Sequence, residues 1–342
     1  MPDFVIAVPE GALAASVGAT LDVLSIAGRS AAARGRKPME WRVVSTRRQI
    51  PLSGGMTLAA ERLDRVAIQP HAVVVIPGIG LDHPKLDSGG NIRDRYREDR
   101  LRQRMNMPDM AAFAAMAAEH GAHGGKVAAS CSGVFVLGMA GLLDGRTATT
   151  HWQLGDFLQR CFPLARLDVN RMLVDERGVI SAGAAMAQMD LMLYLIRHRA
   201  GRDVADLAMK YLLVDSRTTQ ARYRVWDQLQ TDEEGVAARF EALIEASLPM
   251  PPSIAEAASQ LHMTAKTLSR HIARATGSTP MNLVHTIRMR HAQRLLALGE
   301  LSLDEVAQRL GYANATSLRK LTMKMARLPP AMFRHPVSGG SQ

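Results

Sequence analysis

The stretch from Ser253 to Arg334 states one pattern twice, and that duplication limits what this chain can fold into more than any other feature. Ser253-Ile-Ala-Glu256 and Ser302-Leu-Asp-Glu305 both fit the Ser-x-x-Glu capping box, where a hydroxyl and a carboxylate satisfy the orphan amides of a helix start. Each is followed by an alanine at the same offset (Ala258, Ala307), then by a leucine that closes a short helix (Leu261, Leu310). A turn and a second helix with Leu268 or Leu318 come next, and each copy ends on a proline, Pro280 or Pro330. Two copies are a duplicated supersecondary unit, since a solenoid needs three or more. Helix, tight turn, helix is the helix-turn-helix unit.

The turns agree with this. Thr264 is placed to cap a helix running to about Ala275, which Gly277 can end. Gly311 can take positive φ after Leu310, with Asn314 or Thr316 as the next cap. Between the copies, Pro280 to Leu298 carries Val284, Ile287 and Leu295 at helical spacing, a helix of roughly 27 Å. It would hold two reading heads close to one duplex turn apart, ~34 Å.

Charge points the same way. From Met250 onward there are twelve Lys and Arg against four Asp and Glu, so this quarter of the chain holds most of the formal +10. A basic domain gains affinity through counterion release at phosphates, contacts that position a protein without reading sequence.

Thr264-Ala-Lys266-Thr-Leu268-Ser-Arg270-His-Ile272, Gly277-Ser-Thr-Pro280, Arg288 with Ala292 and Leu295-Leu296, and Val306-Ala-Gln-Arg-Leu-Gly311-Tyr312 together resemble the AraC-type DNA-binding domain. The resemblance implies a transcriptional regulator whose two recognition helices enter adjacent major grooves of double-stranded DNA. Base-facing candidates carried over from it are Lys266, Ser269 and Arg270 in the first helix and Thr316, Arg319 and Lys320 in the second. Leu268 and Ile272 would face the core. Family members usually carry aromatic residues where this chain has Leu318 and Thr322, and a glycine where it has Arg327, so the second unit is expected to be the looser one.

The remaining chain has a different grammar. Phe4–Val8, Arg42–Ser45, Ala72–Pro77 and Val127–Ser130 are short runs rich in β-branched residues, with helical patterns near Val17–Arg34 and Met110–His120 between them. Continuous apolar strands alternating with helices indicate a parallel sheet covered on both faces, an α/β layer fold with its sites beyond the carboxyl ends of the strands. The first run is short and lacks a basic leader, so it reads as a strand rather than a signal peptide. The two cysteines, Cys131 and Cys161, fit a reducing, cytoplasmic setting better than a disulfide framework. Nothing in the pattern calls for a membrane span, a metal or a cofactor.

Val127-Ala-Ala-Ser-Cys131-Ser-Gly133-Val-Phe reads as a strand turning sharply into a helix around a thiol, the layout of a nucleophile elbow. It continues through Gly138-Met-Ala-Gly141-Leu-Leu-Asp144-Gly-Arg146 to Thr150-His151-Trp152. This run, with Ala182-Gly183 and Asp190-Leu-Met-Leu, resembles the class I glutamine-amidotransferase-like fold in its PfpI-type branch, and more narrowly the sensor half of regulators that join that flavodoxin-like fold to an AraC-type domain. In protease-like and amidase-like relatives a histidine follows the cysteine, but here Ser132 does. Hydratase-like relatives use a carboxylate near the first helix, and none lies between Glu10 and Asp22. A thiol enzyme needs a base within reach. The expectation is therefore a former enzyme pocket kept to bind a small effector, lined by Gly78, Ile79, Cys131, Ser132 and His151. Gly78 and Ile79 enter because their strand ends at the same face. The alternative is a thiol-dependent amidase or hydratase using Cys131, with His151 as its nearest base, fused to a DNA-binding module.

Asp82 to Asp109 is dense in charge, with Arg93, Arg95, Arg97, Arg100, Arg102 and Arg104 among acids. It reads as a solvated loop or helix inserted near the pocket mouth, and as an effector clamp if the effector is anionic. The expected organisation is a sensor over 1–222, a linker over 223–234, the DNA-binding domain over 235–336 opening on a helix from Val236 to Ser247, and a tail over 337–342. The chain reads as an effector-controlled, sequence-specific regulator, with a homodimer implied by the resemblance.

Overall fold

The computed structural model describes residues 2–80, 94–215, 217, 219–220, 235–276 and 278–334. Gly277, the linker 223–234, the tail 337–342 and Arg93 lie outside the described residues, as do the side chains of Arg95 and Arg97. The chain divides into two compact units, Met1–Gln220 and Ala221–Gln342.

In the first unit, β1 (Phe4–Ala7), β2 (Trp41–Ser45), β5 (Glu61–Arg62), β6 (Val73–Ile76), β7 (Lys126–Ser130), β10 (Leu173–Glu176) and β11 (Val179–Ala182) form one sheet in the order β10-β11-β7-β6-β1-β2-β5. Two small pairs flank it, β3 (Gln49–Pro51) with β4 (Thr57–Ala59), and β8 (Thr147–Ala148) with β9 (Arg166–Leu167). Alternate strand residues feed opposite cores, which is why the strands read as unbroken apolar runs. Phe4, Ile6 and Ala128 pack with α1 (Ala14–Ala32), α6 (Ala187–Ala200) and α7 (Arg202–Leu212). Val5, Val127 and Ala129 pack with α2 (Asp94–Met105), α3 (Pro108–Ala122), α4 (Val134–Met139) and α5 (Gly155–Cys161). This is the α/β layer fold that the sequence indicates, with one departure from an all-parallel sheet. The edge pair β10–β11 is antiparallel, because Arg177 (φ 57°) and Gly178 (φ 80°) close a two-residue hairpin.

The described half of the charged segment is a helix, one of the two expected forms, with Asp99, Arg102 and Gln103 exposed but its other side docked. It is the helix α2, docked by a fully buried Leu101 and continuing directly to α3. Arg104 donates to the Glu10 carbonyl and pairs with Asp109, whose carboxylate also accepts the Glu10 amide. Burial pushes the Asp109 carboxyl up, but the Arg104 guanidinium outweighs it and holds that carboxyl below its ordinary range. Arg102 lies 5.1 Å over the Phe157 ring and Glu98 pairs with Arg160 at 2.6 Å. These groups are spent on holding the helix down.

The second unit is all helix: α8 (Val236–Ala246), α9 (Ile254–Gln260), α10 (Ala265–Thr276), α11 (Pro280–Leu298), α12 (Leu303–Arg309) and α13 (Ala315–Ala326). Both capping boxes are complete, each serine accepting from the N3 amide while the glutamate accepts from the serine amide. Thr264 accepts from Thr267 N–H at 3.1 Å, and Asn314, rather than Thr316, caps α13. Leu318 and Thr322 are fully buried, and the Thr322 hydroxyl donates to the Arg319 carbonyl at 3.2 Å. Arg327 ends α13 in the left-handed region, φ 56°. A Cβ is disfavoured there. Replacing Arg327 with glycine is expected to stabilise the second unit by about 1 kcal/mol in denaturant unfolding, and an unchanged or lower midpoint would show that the side chain's own contacts outweigh the strain.

Candidate functional site

Two places gather the chemistry. The first is the end of β7. Ser130 is still extended, Cys131 takes φ 53°, and α4 begins three residues later. A non-glycine residue held in this region is strained and persists only when its surroundings over-determine it. Here they do. The Cys131 amide donates to the Gly183 carbonyl at 2.7 Å, and the Cys131 carbonyl accepts the Thr150 hydroxyl at 2.7 Å. Gly133 lies so close to the β6 end that a Cβ would stand 2.6 Å from the Pro77 carbonyl oxygen. The thiol residue is 8% exposed.

The expected pocket residues fall around this turn in distinct roles. A Cβ on Gly78 would stand 3.1 Å from the Cys131 Cβ and 3.3 Å from Leu13, so the glycine lets the β6 end pack closely against the thiol residue. Ser132 donates its hydroxyl to the Ile79 carbonyl at 2.8 Å and accepts the Ile79 amide at 2.8 Å. Both residues are buried, so they act as wall. His151 follows Thr150 in the chain. Its Nδ1 accepts the Gln153 amide at 3.1 Å and its ring stacks on Trp152, 5.3 Å between centroids. That nitrogen is committed to a local helix cap.

Sequence reasoning missed the residues that stitch this turn to the end of the unit. Gln220 is 1% exposed, and its amide nitrogen donates to the Thr150 carbonyl at 2.7 Å and to Thr149 Oγ1 at 3.2 Å. Its backbone amide donates to the Asn170 carbonyl at 3.0 Å, and the Thr219 hydroxyl donates to the same carbonyl at 2.6 Å. Thr150 thus holds both Cys131 and Gln220. A lone glutamine after a polar run gave no local signal, because every partner is about 50 or more residues away.

The second place is the outward face of α10 and α13. On α10, Leu268 and Ile272 are fully buried, Lys266 and Arg270 are exposed and Ser269 is half-buried. On α13, Leu318, Leu321 and Thr322 face inward, while Thr316, Arg319 and Lys320 are exposed. Lys324, also exposed, continues the stripe of Thr316 and Lys320 at i, i+4, i+8 and was missed, although helical spacing marks it. Within the described residues, no helix is long and apolar enough to cross a membrane, and no group of three or more His, Cys, Asp or Glu is placed to hold a metal.

Comparison with known proteins follows this geometry. Residues 257–335 match the family model described as a helix-turn-helix domain. The HTH-type transcriptional regulator GbdR of Pseudomonas aeruginosa is 28% identical over 210 residues, 60% of this chain and 57% of that protein. The chain therefore spans little more than half the length of that relative. An isonitrile hydratase of Pseudomonas putida is 36% identical over 86 residues, 25% of this chain and 36% of the enzyme. The crystal structure of a THiJ/PfpI family protein from Pseudomonas syringae matches at 15% identity with a TM-score of 0.46, covering 83% of this chain and 91% of that one. The match places a helix-turn-helix domain in the second unit, in agreement with the paired capped helices described above.

Gln220→Ala leaves the buried Thr150 carbonyl without its donor, so the first unit is expected to lose about 1–3 kcal/mol in urea unfolding. A loss under about 0.5 kcal/mol would mean that water replaces the amide.

Proposed function

We propose that this chain is a sequence-specific DNA-binding transcriptional regulator whose first unit binds a small-molecule effector beside Cys131 without turning it over. The observation that carries the DNA half is the pairing of two capped helix-turn-helix units on one helix, each presenting a basic outward face. The helix-turn-helix match and the regulator relative support it. In this reading Lys266, Ser269 and Arg270 read bases from α10, and Thr316, Arg319 and Lys320 approach the DNA from α13. The first helix supplies most of the discrimination, while the second mainly holds phosphates.

Band-shift titration against the promoter fragment beside its own gene tests this. With about four phosphate contacts, affinity should fall about a hundredfold between 50 and 200 mM salt. Arg270→Ala should relax base preference, while Lys320→Ala weakens all sequences alike. Absence of a specific, salt-sensitive band overturns the regulator reading, and equal loss of base preference in the two variants overturns the division of labour.

The effector half rests on the Cys131 turn. Gly78 packs closely against the thiol residue, and the turn is bonded through Thr150 to Gln220, where the first unit ends. An effector that prefers one arrangement of that turn would change how the tether to the second unit is held, and a coupling of about 1–3 kcal/mol suffices. A homodimer, with association of two first units as the regulated step, belongs to the same proposal.

The strained elbow and the hydratase relative favour a second reading, a thiol-dependent amidase or hydratase. Against it, the Ser132 hydroxyl is bonded at both lone pair and proton to Ile79, and the His151 Nδ1 caps its own turn. Cys131→Ala separates the two. Metabolites that raise the melting temperature of the wild-type chain are the probes. The sensor reading expects no turnover by either protein and a shifted effector response in the variant. Turnover by wild type that the variant loses, with DNA binding unchanged, establishes the enzyme.

A further inference from the structure

The second unit contains two hydrophobic cores, and α11 supplies residues to both. Leu283, Val284 and Ile287 enter the first core with α8, α9 and α10. Met289, Ala292 and Leu296 enter the second with α12 and α13. Arg288 stands at the changeover between them. A single shared helix fixes the separation of two reading heads, while the angle between α10 and α13 also depends on how each half packs on that helix.

A lateral bridge crosses that changeover. Pro249, in the segment before α9, approaches the turn between α12 and α13 so closely that a Cβ on Gly311 would stand 1.8 Å from the Pro249 carbonyl oxygen. Gly311 has φ 77°, which suits the same residue for a second reason. Arg288 Nη2 lies 3.4 Å from that Cβ position, and its guanidinium lies 4.8 Å over the Tyr312 ring. The Tyr312 amide donates to the Ala307 carbonyl at 2.9 Å, so Tyr312 is itself fixed to the end of α12, two residues before the Asn314 cap of α13. Beside the bridge the two halves do not close on each other. Leu248, Pro249, His291, Leu295, Leu301 and Leu310 are among the residues lining a cleft of about 520 Å³.

We infer that Arg288 and Tyr312, with the Pro249–Gly311 approach, form a lock that sets the angle between α10 and α13, so that the chain selects DNA by the spacing of two half-sites as well as by their sequence. Arg288 and Tyr312 are positioning residues in this scheme, acting on the heads rather than on the duplex. The inference rests on the DNA-binding reading for its consequence, though not for the lock itself. Inserting two base pairs between half-sites moves the second by about 7 Å and turns it by about 70°. A locked pair of heads cannot follow that displacement, whereas a hinged pair can recover part of it.

Two measurements test this. Full-length protein is used to select duplexes from a random-sequence pool, the two half-sites are mapped by footprinting, and two base pairs are inserted between them. Wild type should lose about tenfold or more in affinity on insertion, while Arg288→Ala and Tyr312→Leu should lose about threefold or less. Arg288→Lys and Tyr312→Phe, which keep a cation and a ring, should behave as wild type. The second measurement needs no DNA. Spin labels at positions 266 and 320, in a chain with Cys131 and Cys161 changed to serine, report the distance between heads. Its distribution should widen by about twofold in Arg288→Ala and Tyr312→Leu. Folded variants with wild-type spacing discrimination and wild-type label widths overturn the lock. If no duplex is selected, the DNA reading fails and the label widths decide the lock alone. If Arg288→Ala does not fold, Tyr312→Leu, which keeps most of the apolar bulk, carries the comparison.

Discussion

A helix that belongs to two cores at once is the constraint on which the second unit depends. Because α11 gives its first turns to one core and its last turns to the other, neither helix-turn-helix can move without disturbing the same backbone. The unit then spends its polar groups on securing that helix. Arg290 projects from α11 into a pair of carboxylates on α8, Glu241 and Glu245, and is 12% exposed. Removing Arg290 would leave two neighbouring carboxylates without the cation they share. His291 adds a contact to Glu245 at 3.2 Å. Thus α8 is bound to the spine of the reading unit by charge as well as by Phe240 and Ile244.

The first unit is organised by a different device, a backbone turn that cannot relax. Cys131 keeps its positive φ because four separate chain segments meet there: the β6 end through Gly78 and Ile79, the β11 end through Gly183, the β8 end through Thr150, and its own helix through Ser132. Such strain is useful to a nucleophile, which it presents at the head of a helix. It serves a binding site equally, since a turn over-determined by four neighbours is a sensitive reporter of anything placed among them. Of the neighbouring polar groups, the Ser132 hydroxyl is bonded to the Ile79 backbone and the His151 Nδ1 accepts the Gln153 amide.

What was legible in the sequence was what depends on near neighbours. The capping boxes, Asn314, the positive φ of Gly311 and the small residues around Cys131 are contests between a side chain and backbone a few residues away, so the pattern carries them. The alternation of strands and helices was legible for the same reason. The antiparallel β10–β11 edge was not, because Leu173-Val-Asp-Glu176 is half polar and its hairpin is closed by an arginine beside the glycine. Helix α2 was obscured by its own charge. Its described apolar contacts come from Leu101 and Met105, and Glu10 and Arg160, which bind Arg104 and Glu98, lie in distant segments. Gln220 and the Pro249–Gly311 approach were invisible because each joins segments about 50 or more residues apart.

These long-range ties define where a signal would enter and leave the tether. On one side Gln220 is fixed by its side chain and its backbone amide within a strap that also holds Thr219. On the other, α8 is fixed to α11 by a sheltered ion pair. Each of these attachments joins segments far apart in the sequence and so depends on the fold of its own unit. Each hydrogen bond of the Gln220 strap contributes about 0.5–1.5 kcal/mol, and with four such bonds named above the strap as a whole is not a weaker attachment than the ion pair. Under the proposed reading, a change at the Cys131 turn reaches that strap through Thr150, which bonds to both.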